Sequence, residues 1–231
     1  RFVPSCTSEL MTGLAKLAKE YDVPVQSHLS ENHGEIDWVA SLHPESSNYT
    51  DVYYEHHLMG TVPTVMAHCI HLSDVEMDRM AETQTMVSHC PYSNVNLSSG
   101  IAPIRKLIER NIPIGLGSDI SGGHIVSMAK VLTEAIGLSK MKWVEVDKNY
   151  APLTLSEAFY MATKGGGQFF GHVGSFEKGY ELDALIIDDT SLFDPNERSL
   201  EERLERWLYV GDDRHIIERY VAGRVVPSPK G

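Results

Sequence analysis

Along the first two thirds of the chain, short and mostly apolar runs end on a polar residue, and each is followed by a stretch of helical periodicity. The runs are 23–28 (VPVQSH), 62–68 (VPTVMAH), 84–89 (QTMVSH) and 112–119 (IPIGLGSD). They are nearly continuous in apolar character rather than strictly alternating, as parallel strands covered on both faces are. An amphipathic stretch over 7–21 precedes the first run, and helices are predicted over 32–42, 74–82, 103–110, 126–139 and 155–163. Ser73 with Glu76 makes a capping box at the start of the second of these helices, Pro103 suits the first turn of the third, and Thr154 caps the last. Strand alternating with helix predicts an α/β fold with a parallel sheet or barrel.

After Gly174 the rhythm changes. Runs 181–187 (ELDALII) and 218–226 (ERYVAGRVV) have strand character and are separated by an acidic, Arg-containing segment. The expected organisation is an α/β body over 1–174 and a part of a small β-rich domain over 175–231. No solenoid repeat or low-complexity tract interrupts the chain.

Composition narrows the function classes. With 231 residues, 42% hydrophobic and 23% charged, the chain has the make-up of a soluble globular protein. The net charge of -12, from 32 acidic and 20 basic residues, argues against nucleic acid or an anionic membrane as partner. Three isolated cysteines, Cys6, Cys69 and Cys90, form no CxxC pair, so a reduced, cytoplasmic setting is expected. The opening Arg1-Phe2-Val3-Pro4 has no initiator methionine and no helix or strand start, so the chain is expected to begin within a larger unit.

The candidate chemistry lies where the runs end, at His28, His68, His89 and Asp119. In a (β/α)8 barrel the residues at the carboxyl ends of the strands face one mouth, and imidazole and carboxylate suit a borderline metal such as zinc. Glu31 follows His28 closely enough to exchange a proton with a metal-activated water. Gly115 and Gly117 before Asp119 permit close backbone approach. The other histidines, His33, His43, His56, His57, His71, His124, His172 and His215, are expected to be structural.

Several segments together resemble the amidohydrolase superfamily and, within it, the guanine deaminase family. They are SHLSEN (27–32), MAHCIHLS (66–73), SHCPYSNVNLSSG (88–100), GLGSDISGG (115–123), LYVGDDRHI (208–216) and YVAGRVV (220–226). The resemblance implies the later half of a (β/α)8 barrel with part of a small β-sandwich domain. It implies zinc-dependent hydrolysis of guanine to xanthine and ammonia, with iron as the other possible metal. His28 and Asp119 would be metal ligands, Glu31 the proton shuttle, and His68 a group that polarises substrate or water beside the metal. Arg1 and Phe2 would hold the purine together with His28, Glu31 and Asp119, and His89 would be structural or stand behind the ligands. The family also carries a His-x-His pair on its first barrel strand, and this chain has none. The missing amino-terminal half of the same protein is therefore an expected partner, with a homodimer expected from the same likeness. Two alternatives stay open: an aminohydrolase acting on another purine, pyrimidine or triazine ring, and a non-catalytic fragment that needs its amino-terminal half.

Overall fold

The computed structural model describes residues 1–227. Four parallel strands form one sheet in chain order: β1 (Val25–Leu29), β2 (Thr64–His68), β3 (Met86–His89) and β4 (Ile114–Leu116). The register pairs Leu29 with His68, Ala67 with Ser88, and His89 with Leu116, which brings the carboxyl ends of the strands level. The four runs expected from the sequence contain these four strands, each starting two residues late; β1 runs one residue further, to Leu29, and β4 stops three residues short, at Leu116. Asp119 stands beyond β4, in the turn that follows it.

Helices fill the connections. In order they are α1 (Ser8–Tyr21), α2 (His33–Leu42), α3 (Tyr49–Glu55), α4 (Asp74–Glu82), α5 (Pro91–Asn96), α6 (Ile104–Glu109), α7 (Met128–Glu145) and α8 (Leu155–Tyr160), which continues into a π-helical turn, Met161–Gly165. Most starts are fixed by a polar cap. The side chains of Thr7, Asn32, Asn48, Ser73 and Thr154 each accept the N–H three residues on. Each such cap contributes on the order of 1 kcal/mol. Pro103 takes the position just before α6 rather than its first turn. The seventh helix runs to Glu145, past the expected end at 139, because Ser139 satisfies its hydroxyl on the Ile136 carbonyl and leaves the helix unbroken.

The core lies between the sheet and these helices. Leu29, Met66, Val87 and Ile114 from the strands meet Met11, Met77, Met80, Leu107, Leu132 and Ile136 from the helices, all buried. Burial of each such side chain stabilises by roughly 1.5–3 kcal/mol. The one glycine of β4 is needed for packing: a Cβ on Gly115 would stand 2.7 Å from Met86 Cε and 2.9 Å from Gly166 Cα. The π-helical turn thus rests directly on the β4 backbone.

The carboxyl-terminal part holds an antiparallel sheet of β5 (Ala184–Ile187), β6 (Ile216–Val221) and β7 (Arg224–Val225). The single strand expected over 218–226 is in fact a hairpin, because Ala222 and Gly223 adopt φ of 47° and 74° and turn the chain back. The acidic segment before it is a helix, α9 (Leu200–Val210), started by a Ser199–Glu202 capping box. Trp207 and Leu208 of α9 enter the same core as the parallel sheet. Lys130 Nζ donates to the Leu208 and Tyr209 carbonyls at 3.2 and 2.9 Å, placing a cation at the carboxyl end of α9 where the helix dipole favours it. Among the described residues, no helix is long and apolar enough to cross a membrane.

Candidate active site

Three strand ends turn sharply at the same edge of the sheet. Ser30 after β1, His68 at the end of β2 and Asp119 after β4 have φ of 49°, 71° and 42°, the left-handed region that residues with a Cβ rarely adopt. Each costs on the order of 1–2 kcal/mol, and such strain concentrates where a side chain must be aimed. Backbone bonds hold the turns: Cys69 N–H donates to Leu29 O at 2.9 Å, Ile70 N–H to Ser30 O at 3.1 Å, and Gly123 N–H to Asp119 O at 2.6 Å.

The turns bring His28, His68 and Asp119 together, with donor atoms all within 4.8 Å of one another. The His28 and His68 ring centroids lie 5.2 Å apart. Backbone and side-chain partners set the tautomer of each ring. His28 Nδ1 donates to the Arg1 carbonyl at 3.1 Å, and His68 Nδ1 donates to Asn94 Oδ1 at 3.0 Å. Both rings therefore keep the Nε2 lone pair for the site, the form in which imidazole binds a metal. Burial, reinforced by the neighbouring His68, holds the His28 pKa below the usual histidine range, which favours that neutral form.

Glu31 completes the cluster. It is 5% exposed, and its carboxylate takes a hydrogen bond from the Arg1 guanidinium at 3.1 Å and one from the Ser99 hydroxyl at 3.4 Å. His68 Nε2 stands 3.7 Å from Glu31 Oε2 and 3.9 Å from Asp119 Oδ2. That Nε2 is fully buried and has no hydrogen-bond partner, and the same holds for Ser30 Oγ, Ser93 Oγ and Asn94 Nδ2 close by. Buried polar atoms are rarely left unpaired. Their concentration here, with two neutral imidazoles and two carboxylates, is the chemistry of a cation site, so the residues present fit a metal cofactor.

The structure thus brings together His28, Glu31, His68 and Asp119, and sets Arg1 against Glu31. Phe2 is one step removed: the Arg1 guanidinium lies over its ring at 5.3 Å and Trp38 meets it edge-on at 6.3 Å. His89 lies outside the three-residue donor cluster. It is wholly buried, and that burial pushes its pKa down to about 3, so it stays neutral. Other histidines have structural partners, such as His56 on the Val52 carbonyl and His71 on the Ser99 carbonyl.

Sequence reasoning does not single out Asn94 or Ser99. Both lie within the segment SHCPYSNVNLSSG, but Asn94 sits in a short helix whose composition has the character of a turn. The available signal is its place one helical turn after the β3 end, where it faces the neighbouring strand end. Gly122 is a further such residue: a Cβ there would fall 2.5 Å from Asp119 Oδ2 and 2.6 Å from Ser93 Oγ.

Comparison with known proteins gives the family of the chain. The model of the amidohydrolase family matches residues 1–226. A guanine deaminase of Dictyostelium discoideum is 44% identical over 98% of this chain and 51% of its own length. The guanine deaminase of Mus musculus is 41% identical over 98% of this chain and 52% of its own. Among solved structures, a guanine deaminase from C. acetobutylicum with guanine bound in its active site superposes with a TM-score of 0.95 at 54% identity, covering 98% of this chain and 54% of that one. The chain spans about half the length of the curated relatives it matches.

Proposed function

The chain belongs to the amidohydrolase family, and from that premise we propose that the complete protein hydrolyses guanine to xanthine and ammonia at this site. The observation that carries the proposal is the Glu31 carboxylate, buried within reach of His68 and Arg1 and beside the His28–His68–Asp119 cluster. The likeness to guanine deaminases along nearly the whole chain supports guanine as the ring.

We assign His28 and Asp119 as zinc ligands; iron would suit the same donors. Bound there, zinc supplies a Lewis acid and lowers the pKa of a water to near neutrality. Glu31 takes the proton of the attacking water as the new C–O bond forms, then delivers it to the ring nitrogen and on to the departing amine. One carboxylate thus serves as base and as acid. His68, with Nδ1–H committed to Asn94, accepts a hydrogen bond at Nε2 and orients the attacking water. Asp119 adds a negative charge that steadies the cationic side of the site. Arg1 presents its planar donors to purine acceptor atoms and Phe2 offers a ring face to the base.

The same proposal covers the architecture. Residues 1–174 make up the later half of a (β/α)8 barrel, and 175–231 are part of a small β-sandwich domain, of which 228–231 lie outside the described residues. The remaining metal donors, a His-x-His pair, stand on sequence outside this chain. The working form is a cytoplasmic homodimer.

The test is ammonia release by the zinc-loaded complete protein from a panel of purines, pyrimidines and triazines. Guanine is expected to be turned over with the highest kcat/KM. Inert guanine beside an active adenosine-type or triazine ring would replace the substrate, and zinc binding with no deamination of any ring would favour a non-catalytic role.

A further inference from the structure

Glu35 is a buried carboxylate that the proposed reaction does not use. It is 6% exposed and its partners are neutral donors: Oε2 accepts the Glu31 N–H at 3.2 Å and Oε1 accepts the Tyr49 hydroxyl at 2.7 Å. A buried charge of this kind is costly unless its hydrogen bonds serve a purpose.

Comparison among the helix starts of this same chain shows what is unusual. At Ser73–Glu76, Thr154–Glu157 and Ser199–Glu202 the glutamate three residues in reaches back to the N–H of the cap residue itself. In α2 the cap is Asn32 and the glutamate in that position is Glu35, yet its carboxylate passes the cap and takes the N–H of Glu31. That amide directly follows Ser30, whose φ of 49° makes the turn. The other carboxylate oxygen is tied to Tyr49, which opens α3 and is 3% exposed. Burial pushes the Tyr49 phenol far above its usual pKa, so it remains a donor. The two bonds fasten the backbone of Glu31 to the α2–α3 pair.

We propose that Glu35 is a positioning residue: by accepting the Glu31 N–H while braced by Tyr49, it fixes the turn that holds the Glu31 carboxylate between Arg1, Ser99 and His68. This rests on the assignment of Glu31 as the proton carrier. It acts through geometry and not through charge, which separates two substitutions. In Glu35→Gln the amide oxygen still accepts the Glu31 N–H and the amide nitrogen donates to the Tyr49 oxygen, so every bond has a counterpart. In Glu35→Leu the volume is kept and both bonds are lost.

The experiment measures kcat, KM, zinc content and hydrogen exchange of the Glu31 amide in the complete, zinc-loaded protein. Glu35→Leu is expected to lower kcat by about 30- to 100-fold, with KM within about 3-fold and zinc retained, in the range seen when outer partners of a site are removed. The Glu31 amide should exchange at least about 10-fold faster. Glu35→Gln should keep kcat within about 5-fold and keep the amide protected. Should Glu35→Leu fail to fold, Tyr49→Phe decides, with an expected loss of about 3- to 10-fold in kcat alone. Unchanged kcat in the leucine variant (or in Tyr49→Phe, where that variant decides), an equal loss in the glutamine variant, or a loss that follows zinc content would overturn the proposal. If the unaltered protein leaves guanine untouched, the functional reading fails instead, and the exchange rates still decide whether Glu35 holds Glu31.

Discussion

His68 gives its Nδ1–H to Asn94 Oδ1 at 3.0 Å, and this bond is what leaves the buried Nε2 facing Glu31 and Asp119. Both partners are fully enclosed, Asn94 at 1% exposure and His68 at 0%. Loss of the amide would free the ring to turn or to carry its proton on the wrong nitrogen. Asn94→Leu is therefore expected to lower kcat by about 10- to 100-fold with zinc content little changed. Steady-state kinetics beside metal analysis check it. Full activity would show that the ring is held by something else.

A second expectation concerns the other side of the cluster. With a Cβ at position 122 landing 2.5 Å from Asp119 Oδ2 and 2.6 Å from Ser93 Oγ, Gly122→Ala must push the Asp119 carboxylate from its place. Zinc affinity should fall by about 10- to 100-fold. Competition with a chromogenic chelator measures this directly, and unaltered affinity would remove Asp119 from the ligand set.

Away from the site, Arg105 clamps the carboxylate of Glu157 at 2.7 and 2.9 Å and also donates to the Ala151 and Pro152 carbonyls. The hydrogen bonds from Arg105 hold the Glu157 carboxyl at a pKa of about 2, against an ordinary value of 4.5. Since the folded value lies below the unfolded one, the stabilisation is complete above about pH 4.5 and is lost as the pH falls towards 2. Arg105→Met should thus destabilise by roughly 1–2 kcal/mol at pH 7, allowing for the pair's partial exposure. The difference from the unaltered protein should shrink between pH 4.5 and 3, as read from denaturant midpoints. A difference that stays constant across that window would contradict the pairing.

How far the sequence foretells this arrangement depends on the kind of signal. The strand ends are legible because a short apolar run stopping at His28, His68 or Asp119 is itself the pattern of a buried parallel strand. The capping box at Ser73 and the cap at Thr154 are legible because their chemistry is local. The α9 helix is not, since the charge-rich segment around Arg203 and Arg206 hides the Leu200–Leu204–Trp207–Leu208 spacing that lies within it. The break at Ala222–Gly223 is hidden by the apolar residues on both sides. Within the site, His28, Glu31, His68 and Asp119 are visible from residue type and position. Asn94 and Glu35 are not, because what they do depends on which neighbouring strand end or turn they meet, and sequence distance does not carry that. The purine itself, and the parts given to Arg1 and Phe2, come from family likeness and not from any periodicity in the chain.

The central claim is that Glu31 carries the proton in the hydrolysis of guanine. Glu31→Gln, made in the complete protein, keeps the size of the side chain and removes its capacity to accept and return a proton. Ammonia release from guanine is expected to fall by at least about 10³-fold, with zinc content equal to that of the unaltered protein. Retention of full turnover, zinc bound, would contradict the claim.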